Sequence, residues 1–347
     1  MNETRLKQIL DQYSHVRLLV IGDFFLDNYL ILQRDLSEIS LETGLEAYQV
    51  VNLRKYPGAA GTVTANIRAQ DGEVVALGVL GDDGIGYDLR KKLDEIGADT
   101  HALVVDPGLF TPTYIKPMMN EPDGKVHELN RMDIKNRSPL PDRVEDEIIA
   151  QLKEIVPAVQ GVIIADQVQE RNCGVVTDRV RAEIERLAQT YQKKTFITDS
   201  RVRAHLFQGV ILKMNMSEVM KACGMDKSTL TADLSAITTC CERLFKRTNK
   251  PVFITRGEEG CILFSQPGTP VLEVPPVPVE GKIDIVGAGD SFLASLSLAL
   301  CSGAELDEAA LIGNLAASIV IQQIGITGTA NRAQISSRFQ ELNSKSA

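Results

Sequence analysis

The stretch Val16-Arg17-Leu18-Leu19-Val20-Ile21-Gly22-Asp23 is a short, largely apolar run that ends in Gly-Asp. Such a run is typical of a strand that is buried on both faces of a mainly parallel sheet. Helical patterns at 142–155 and 176–192 separate some of the later runs of this kind. Strands that alternate with amphipathic helices predict an α/β fold with helices on both faces of the sheet. The comparable apolar runs lie at 74–80, 161–165, 195–198, 210–214 and 252–255.

Two stretches interrupt this alternation, at 30–55 and 113–130, and neither has a helical period. The second contains the turn-forming tetrapeptide Glu121-Pro122-Asp123-Gly124 between two extended runs. These stretches predict a small β layer that projects from an α/β body. We assign residues 1–29, 56–112 and 131–335 to that body, and expect residues 336–347 to form a C-terminal tail that frays.

Composition excludes several classes of protein. The 347 residues include 37 Lys and Arg against 46 Asp and Glu, which gives a net charge of −9 and disfavours binding to nucleic acid or to an anionic membrane. No apolar run reaches the ~18 residues of a membrane-spanning helix, and the first residues lack the pattern of a signal peptide. The six cysteines form no CxxC pair, so we expect reduced, buried thiols in a cytoplasmic protein.

The strongest chemical signal is Asp284-Ile285-Val286-Gly287-Ala288-Gly289-Asp290-Ser291-Phe292, which precedes a helix-forming run. Small residues at a helix start let a ligand approach the backbone, and the N–H groups there form an anion hole. Asp290 could then take a proton from a hydroxyl while the amides of Gly287, Ala288 and Gly289 stabilise a transferring phosphoryl group. The alternative is a glycine-rich turn in which Asp290 is a plain helix cap.

A second group of residues suits a sugar. Asp23 and Asp27 follow the first strand, and Pro57-Gly58-Ala59-Ala60-Gly61 precedes a helix-like run at 62–69. Carboxylates and backbone amides at strand ends can bind sugar hydroxyls, because a hydroxyl both donates and accepts hydrogen bonds. The alternative is that these residues only cap a helix and form a tight turn.

Two shorter motifs follow later strands. Asn215 and Glu218 are three residues apart, so an amide oxygen and a carboxylate could support a hydrated Mg²⁺ beside phosphates. The same spacing equally fits a capping box. Thr255 and Gly257 lie in a strand-to-turn segment that could face a nucleotide, or could be an ordinary turn.

In this order, the four stretches resemble the ribokinase (phosphofructokinase-B) family of sugar kinases, and look closest to its heptose-phosphate kinase branch. In that branch Gly-Asp-x-x-x-Asp opens the chain, a Gly-Gly-Ala-Ala-Asn segment starts the first long helix, and an Asp-(Pro/Ser)-(Lys/Arg) segment precedes Asn-x-x-Glu. The matching residues here are 22–27, 58–62, 199–201 and 215–218. The resemblance implies a ribokinase-like three-layer α/β/α sandwich with a mainly parallel sheet and a small projecting β-sheet lid.

The resemblance also implies roles for individual residues. Asp290 would be the general base, and Gly287, Ala288 and Gly289 the anion hole. Asn215 and Glu218 would support ATP and Mg²⁺, the latter through water, while Thr255, Gly257 and Asn314 would line the nucleotide pocket. Asp27, Gly58 and Asp166 would contact the sugar. Asp284, with carbonyls near Gly325, resembles a monovalent-cation ligand, which implies K⁺ as a further cofactor. The lid would also form the contact of a homodimer.

Three residues depart from the family pattern. Ala59 replaces a glycine and Thr62 replaces an asparagine on the sugar side, which leaves the identity of the sugar open. Val286 replaces a residue that is often threonine, which predicts weaker or absent activation by potassium. Basic side chains could bind a phosphate group on the substrate, and Arg201 is favoured by its place in the motif. The basic candidates are Arg34, Lys116, Arg131, Arg201 and Arg203.

Four alternatives compete with this interpretation. A dinucleotide-dependent dehydrogenase would require GxGxxG after the first strand, and a P-loop kinase would require GxxxxGK followed by Ser or Thr; neither is present. A binding or regulatory protein that retains the fold without catalysis stays open, as does a kinase for a non-sugar acceptor such as a nucleoside. Detectable turnover would separate catalysis from binding alone.

Overall fold

A computed structural model describes residues 1–224 and 234–346 of the chain. Its largest sheet has eight strands in the order β17-β16-β15-β14-β13-β12-β1-β6. Neighbours from β15 to β6 run parallel, and β16 and β17 are antiparallel additions at one edge. The strands of this sheet are β1 (Arg17–Gly22), β6 (Glu73–Leu77), β12 (Gly161–Asp166), β13 (Thr195–Ser200), β14 (Ile211–Asn215), β15 (Val252–Thr255), β16 (Cys261–Phe264) and β17 (Leu272–Val274). All six strands predicted from apolar runs are confirmed.

Alternate residues of β1 are buried on opposite faces of this sheet. Leu18 and Val20 belong to one apolar core, and Leu19 and Ile21 belong to a second. All four side chains are fully buried, and burial of each contributes about 1.5–3 kcal/mol. The glycine that ends β1 is required by close packing, because a Cβ on Gly22 would overlap the carbonyl oxygen of Ala165 in β12.

Helices cover both faces, which confirms the predicted three layers. One core is closed by α1, α2, α3, α8, α9 and α10, and the other by α4, α5, α6 and α7. The helices are α1 (Glu3–Asp11), α2 (Ala60–Ala69), α3 (Gly84–Glu95), α4 (Asp142–Ile155), α5 (Asp178–Thr190), α6 (Met216–Cys223), α7 (Leu234–Thr248), α8 (Ala288–Cys301), α9 (Leu306–Val320) and α10 (Arg332–Ser346). Within the described residues, none of these helices combines the length and apolar character needed to cross a membrane.

A smaller sheet is present, as predicted. Its strands are ordered β10-β9-β2-β5, with β11 also paired to β9. They are β2 (Phe24–Gln33), β5 (Val50–Ala59), β9 (Thr113–Asn120), β10 (Val126–Glu128) and β11 (Met132–Ile134). Gly124 donates to Glu121 at 2.9 Å in the predicted turn between β9 and β10. The sheet extends beyond the predicted ranges, since β2 begins at Phe24, directly after the Gly-Asp that ends the first run.

Two short strand pairs lie outside both sheets. They are β3 (Glu38–Ile39) with β4 (Glu46–Ala47), and β7 (Val79–Gly81) with β8 (Val104–Asp106).

The C-terminal segment differs from the sequence prediction. Residues expected to fray belong to α10, where Ile335 and Phe339 are buried in the core. Burial of these two side chains ties down a helix that has little other apolar pattern.

The expectation of unpaired thiols also needs correction. Cys223 and Cys240 form a disulfide, with their Cα atoms 6.0 Å apart, because the end of α6 lies against α7. Cys173, Cys241, Cys261 and Cys301 are free thiols.

Candidate active site

The candidate active site is a cleft of about 560 Å³ between the two sheets. The large sheet contributes residues at the carboxyl ends of β13, β14 and β15, where ligands bind in open α/β sheets. The small sheet contributes residues of β2 and β9. The cleft is lined by Asp27, Ala59, Thr62, Tyr114, Lys116, Arg131, Gln167, Asp199, Arg201, Lys213, Asn215, Glu218, Thr255, Ile285, Val286, Gly287, Gly289, Asp290 and Thr327.

The predicted anion hole lies at the N-terminus of α8. Gly287 adopts the left-handed conformation (φ 80°) and is the N-cap residue. A Cβ at this position would lie 3.6 Å from the methyl carbon of Thr62, so the helix start adjoins the side of the cleft assigned to the sugar. The amide of Ala288 donates to the carbonyl of Ile285 at 3.3 Å, so one of the three predicted donors is already engaged.

Asp290 lies in the first turn of α8, half-buried at the cleft wall. Burial raises the pKa of its carboxyl group to about 7, with a further contribution from the negative charge of Asp199, while Lys213 and Arg201 oppose the shift. A carboxylate with a pKa near neutrality can accept a proton under physiological conditions and retain it through a reaction step.

Lys213 is a site residue that the sequence analysis missed. It lies within β14, where it is 4% exposed, and its Nζ is 2.6 Å from Oδ2 of Asp199. A Cβ on Gly289 would lie 3.1 Å from Nζ, so the ammonium group is next to the anion hole. The sequence does contain a signal for Lys213, because it is a lysine inside an otherwise apolar strand and a buried lysine requires a charged partner.

Asn215 and Glu218 form the capping box that was the alternative interpretation. The side chain of Asn215 accepts from the amide of Glu218 at 3.0 Å, and Oε2 of Glu218 accepts from the amide of Asn215 at 2.8 Å. Both residues nevertheless line the cleft. Burial, with the charge of Asp199, raises the pKa of Glu218 to about 7, and Lys213 lowers it. The capping box therefore orients the two side chains without removing them from the cleft.

On the side of the small sheet, Asp27 and Lys116 form a buried ion pair of 3.2 Å. The lysine also donates to the hydroxyl of Tyr29 at 3.1 Å. Burial raises the pKa of Asp27, and the charge of Lys116 opposes this shift. Gly58 does not line the cleft itself, but a Cβ there would approach the Asp27 carboxylate to 3.0 Å, so only glycine leaves that carboxylate room.

Two of the predicted basic side chains also face the cleft and are held in defined orientations. Arg131 stacks 4.2 Å over the ring of Tyr114 and donates to Asp133 at 2.7 and 3.0 Å. Arg201 donates through Nε to the side chain of Gln167 at 2.7 Å. Tyr114 and Gln167 were not singled out from the sequence, because polar residues of loops and half-buried strands carry no local signal of where they point.

Several predicted residues lie elsewhere. Asp166 is fully buried, where it binds Arg203 at 2.5 and 3.1 Å and Ser200 at 2.5 Å, so neither it nor Arg203 lines the cleft. Asn314 donates to the carbonyl of Pro275 at 2.8 Å. Gly257 lies in the turn after β15, beyond the cleft-lining Thr255. In the small sheet, Arg34 is paired with Glu46 and Glu121.

Asp284 lies beside the segment that the resemblance pairs with it. Its two carboxylate oxygens accept from the amides of Val286 and Gly325, each at 3.1 Å. These hydrogen bonds bring the start of the anion-hole loop into contact with the segment that follows α9. Within residues 1–224 and 234–346, no group of three or more His, Cys, Asp or Glu side chains is arranged to hold a metal ion by itself.

Comparison with known proteins identifies the family of this chain. Residues 20–332 match the family described as pfkB family carbohydrate kinase. The chain belongs to this family. This match confirms the pfkB resemblance predicted from the sequence.

Curated relatives of this pfkB chain include two proteins named "Bifunctional protein HldE". The relative from Wolinella succinogenes is 30% identical over 331 residues, which cover 94% of this chain and 65% of the relative. The relative from Desulfatibacillum aliphaticivorans is 27% identical over 331 residues, covering 95% of this chain and 64% of the relative. The chain thus spans less than two thirds of the length of these relatives.

Solved structures share the fold of this pfkB chain. Arabidopsis thaliana ribokinase complexed with ribose and ATP superposes with a TM-score of 0.71 at 19% identity, over 94% of this chain and 99% of the ribokinase. Phosphofructokinase-2 from Escherichia coli, in complex with substrates and products, gives a TM-score of 0.71 at 18% identity, over 94% and 100% of the two chains. At these identities the likeness establishes the ribokinase-like architecture.

Proposed function

We propose that the protein transfers the γ-phosphoryl group of ATP to a hydroxyl of a phosphorylated sugar, with a heptose phosphate as the favoured acceptor. Asp290 is the proposed general base, and the N-terminus of α8 at Gly287–Gly289 is the proposed anion hole. Family membership supports sugar phosphorylation, and the identity of the acceptor rests on the resemblance to the heptose-phosphate branch.

The observation that carries the proposal is the meeting of two kinds of binding group around Asp290. The helix N-terminus suits phosphate, because its amides and dipole attract negative charge. A Cβ built on Gly287 would be in van der Waals contact with Thr62, so a residue of the sugar side lies next to this helix start. The negative charge of Asp27, also on the sugar side, contributes to the raised pKa of Asp290. A base between a phosphate site and a sugar site is the arrangement that phosphoryl transfer to a hydroxyl requires.

The proposed reaction forms one bond to phosphorus, breaks another and transfers one proton. The acceptor hydroxyl oxygen forms a bond to the γ-phosphorus while the bond from that phosphorus to the bridging oxygen breaks, so ADP leaves. The hydroxyl proton moves to the carboxylate of Asp290. Lys213 and the free amides at the start of α8 stabilise the negative charge that spreads over the transferring group.

The donor set at the cleft fits a magnesium ion bound together with ATP. Asn215 and Glu218 offer an amide oxygen and a carboxylate, and Mg²⁺ usually binds one or two carboxylates with water and substrate phosphates. Since no larger ligand cluster occurs in the described part of the chain, the phosphates would have to complete the coordination. When bound, the ion would neutralise phosphate charge, and Glu218 would hold it through water.

The proposed acceptor carries its own phosphate because the acceptor side of the cleft is basic. Arg131 and Arg201 are both held by neighbouring side chains, so little side-chain entropy is lost when they bind an anion. Lys116 has Asp27 as partner and would orient that carboxylate toward a sugar hydroxyl. An unphosphorylated sugar or a nucleoside would offer these two guanidinium groups no phosphate, so they would keep only their contacts with Asp133 and Gln167.

Two further proposals concern the small sheet and Asp284. We propose that the small sheet closes over the cleft as a lid and forms a homodimer contact, since β5 exposes Val51 and Leu53 by 48% and 52%. For Asp284 we propose a monovalent-cation site completed by carbonyls near Gly325. Both of its carboxylate oxygens already accept amide hydrogens, which supports only weak potassium activation.

The test is ADP release from Mg·ATP with heptose 7-phosphate, fructose phosphates, ribose, free hexoses and nucleosides, each with and without potassium. We expect the highest kcat/KM with heptose 7-phosphate, and acceptor-dependent ADP release that is at least about 100-fold slower in Asp290→Asn. The matched control is Asp307→Asn, which changes an exposed aspartate in the first turn of the neighbouring helix α9 and should retain full activity.

Each result bears on one part of the proposal. Preference for ribose or a nucleoside would overturn the phosphorylated acceptor while keeping the kinase. ATP binding without turnover on any acceptor would favour the fold-retaining binding protein. Near wild-type turnover by Asp290→Asn would show that the base is assigned to the wrong residue.

A further inference from the structure

A second buried carboxylate, Asp23, lies behind the cleft wall and does not line the cleft. It is 2% exposed. Oδ2 accepts from the amides of Gln167 and Val168, and Oδ1 accepts from the amide of Val175, each at 2.8 Å. One carboxylate therefore holds both ends of the loop 167–175, which follows β12.

This loop supports two residues of the cleft. Gln167, at its start, lines the cleft and accepts the hydrogen bond from Arg201. Val168 and Cys173 pack against Phe25, and the ring of Phe25 stacks on Tyr114 with their centroids 4.7 Å apart. Displacement of the loop would thus move both Arg201 and the aromatic wall on which Arg131 stacks.

The loop backbone approaches Asp23 closely at Gly174. A Cβ on Gly174 would lie 2.7 Å from Oδ1 of Asp23, so the loop backbone is directly against the carboxylate. The backbone carbonyl of Asp23 accepts from the amide of Ala60 at 3.1 Å, which joins the same residue to the start of α2. Charge-assisted hydrogen bonds to buried amides are among the stronger ones in proteins.

We propose that Asp23 is a positioning residue, whose carboxylate holds loop 167–175 in the conformation that aligns Gln167, Arg201 and Tyr114 along the acceptor side of the cleft. The assignment of that side to the acceptor rests on the proposed function. The hold on the loop itself does not, because it follows from the three hydrogen bonds to the carboxylate and from the packing of Gly174. Arg203 also donates to the carbonyls of Val168 and Gln169, so Asp23 shares this hold with it.

The test is Asp23→Asn, which preserves size but turns one acceptor oxygen into an NH₂ group that faces backbone donors. We expect amide exchange at Gln167, Val168 and Val175 to accelerate about tenfold or more, because bonds to a charged acceptor are lost. With heptose 7-phosphate as the probe, we expect the acceptor KM to rise about tenfold, while the KM for ATP stays within about twofold of the wild-type value.

The matched control is Ile9→Ala, which removes buried contacts of α1 in the apolar core that contains no residue of loop 167–175. It should lower the unfolding temperature while leaving both KM values and the exchange of the three loop amides unchanged. If Asp23→Asn behaves like Ile9→Ala, or shifts the KM values for ATP and acceptor equally, the residue is only structural and the proposal is overturned.

Gly174→Ala provides a second route if Asp23→Asn does not fold. It retains the carboxylate but forces the loop away from it, so we expect the same selective rise in acceptor KM and faster loop exchange. Unchanged exchange in this variant would contradict the proposal. If wild-type protein does not use heptose 7-phosphate, the proposed acceptor fails, but the exchange comparison still decides whether Asp23 holds the loop.

Discussion

Two clusters of buried charge lie side by side at the carboxyl ends of β12, β13 and β14. In the Arg203 cluster (Asp166, Ser200 and Arg203), one carboxylate meets one guanidinium, and both carboxylate oxygens have hydrogen-bond partners. In the cleft cluster (Asp199, Lys213, Glu218 and Asp290), three carboxylates share one ammonium group, and the pKa values of Glu218 and Asp290 rise to about 7.

The difference begins with two consecutive residues. Asp199 and Ser200 both belong to β13, and their side chains point to opposite faces as strand geometry requires. Asp199 therefore joins the cleft cluster, and Ser200 joins the Arg203 cluster. Removal of one partner from a closed, charge-matched cluster destabilises the fold, whereas surplus negative charge beside a cleft remains available for protons and cations.

The largest effect is expected from a variant that removes a charge of the cleft cluster. Asp290→Asn should reduce kcat by about 100-fold to 10,000-fold, because the proton acceptor is lost. It should not lower the unfolding temperature, since a carboxylate with a raised pKa is destabilising when ionised. Steady-state kinetics and calorimetry test both parts, with Asp307→Asn as the control. If Asp290→Asn loses activity only because it loses stability, the proposed difference between the two clusters is wrong.

Breaking the Arg203 cluster should have the reverse effect. Arg203→Met leaves Asp166 buried without its counter-charge, so we expect a loss of about 3–5 kcal/mol in the free energy of unfolding. Arg201→Met is the matched control, because Arg201 is exposed and only two positions away; its stability should change by less than about 0.5 kcal/mol. Denaturant unfolding measures both variants, and equal values would refute the distinction.

A third variant removes Lys213, the single ammonium group of the cleft cluster. Lys213→Met should lower kcat about 100-fold, the scale of losing one preorganised group that stabilises developing negative charge. It should also raise the pKa of Asp290 further, since Lys213 lowers it. Kinetics over a pH series test this, and the exposed Lys221→Met, on α6, is the control. An unchanged kcat would remove Lys213 from the proposed chemistry.

The pH dependence of the wild-type protein should report the cleft cluster directly. Activity requires ionised Asp290, so kcat/KM should fall about tenfold per pH unit below pH 7 and level off above it. Stability should run the other way. Between the ordinary pKa of 3.8 and the folded value of about 7, the folded state binds more protons than the unfolded state, so this group's contribution weakens as pH rises. Stability curves of wild type and Asp290→Asn that stay parallel from pH 4 to 7 would contradict this.

The smallest expected effect lies outside both clusters, at the start of α2. Ala59 has φ 52° and ψ −117°, a conformation that favours glycine, at the position where the family pattern has glycine. Ala59→Gly should relieve this strain and stabilise the protein by about 1 kcal/mol, after the entropy cost of glycine in the unfolded chain is subtracted. Calorimetry measures the change, and Ala60→Gly, in the first turn of the same helix, should destabilise instead.

Much of the fold could be predicted from the sequence because its signals are local. Apolar runs marked six strands of the large sheet, and the tetrapeptide at 121–124 marked the turn of the small one. The C-terminal helix could not be predicted, because its mostly polar residues form a helix only through the burial of Ile335 and Phe339.

The candidate site was less predictable from the sequence than the fold. Asp290, Asn215 and Glu218 carry motif signals and do line the cleft, whereas Lys213, Tyr114 and Gln167 carry none that was recognised. In the sequence Asp166 follows an apolar run in the same manner as Asp199, yet in the structure it is paired with Arg203.

The sequence by itself determined the six main strands, the pfkB family and the helix start that carries Asp290, because each is specified by short local runs and motifs and by their order along the chain. Only the tertiary structure decided which carboxylates stay open to the cleft. Asp23 finds its partner Val175 across 152 positions, and Asp166 finds Arg203 across 37. Whether a buried carboxylate is neutralised or left in surplus depends on such distant partners, which no local pattern specifies.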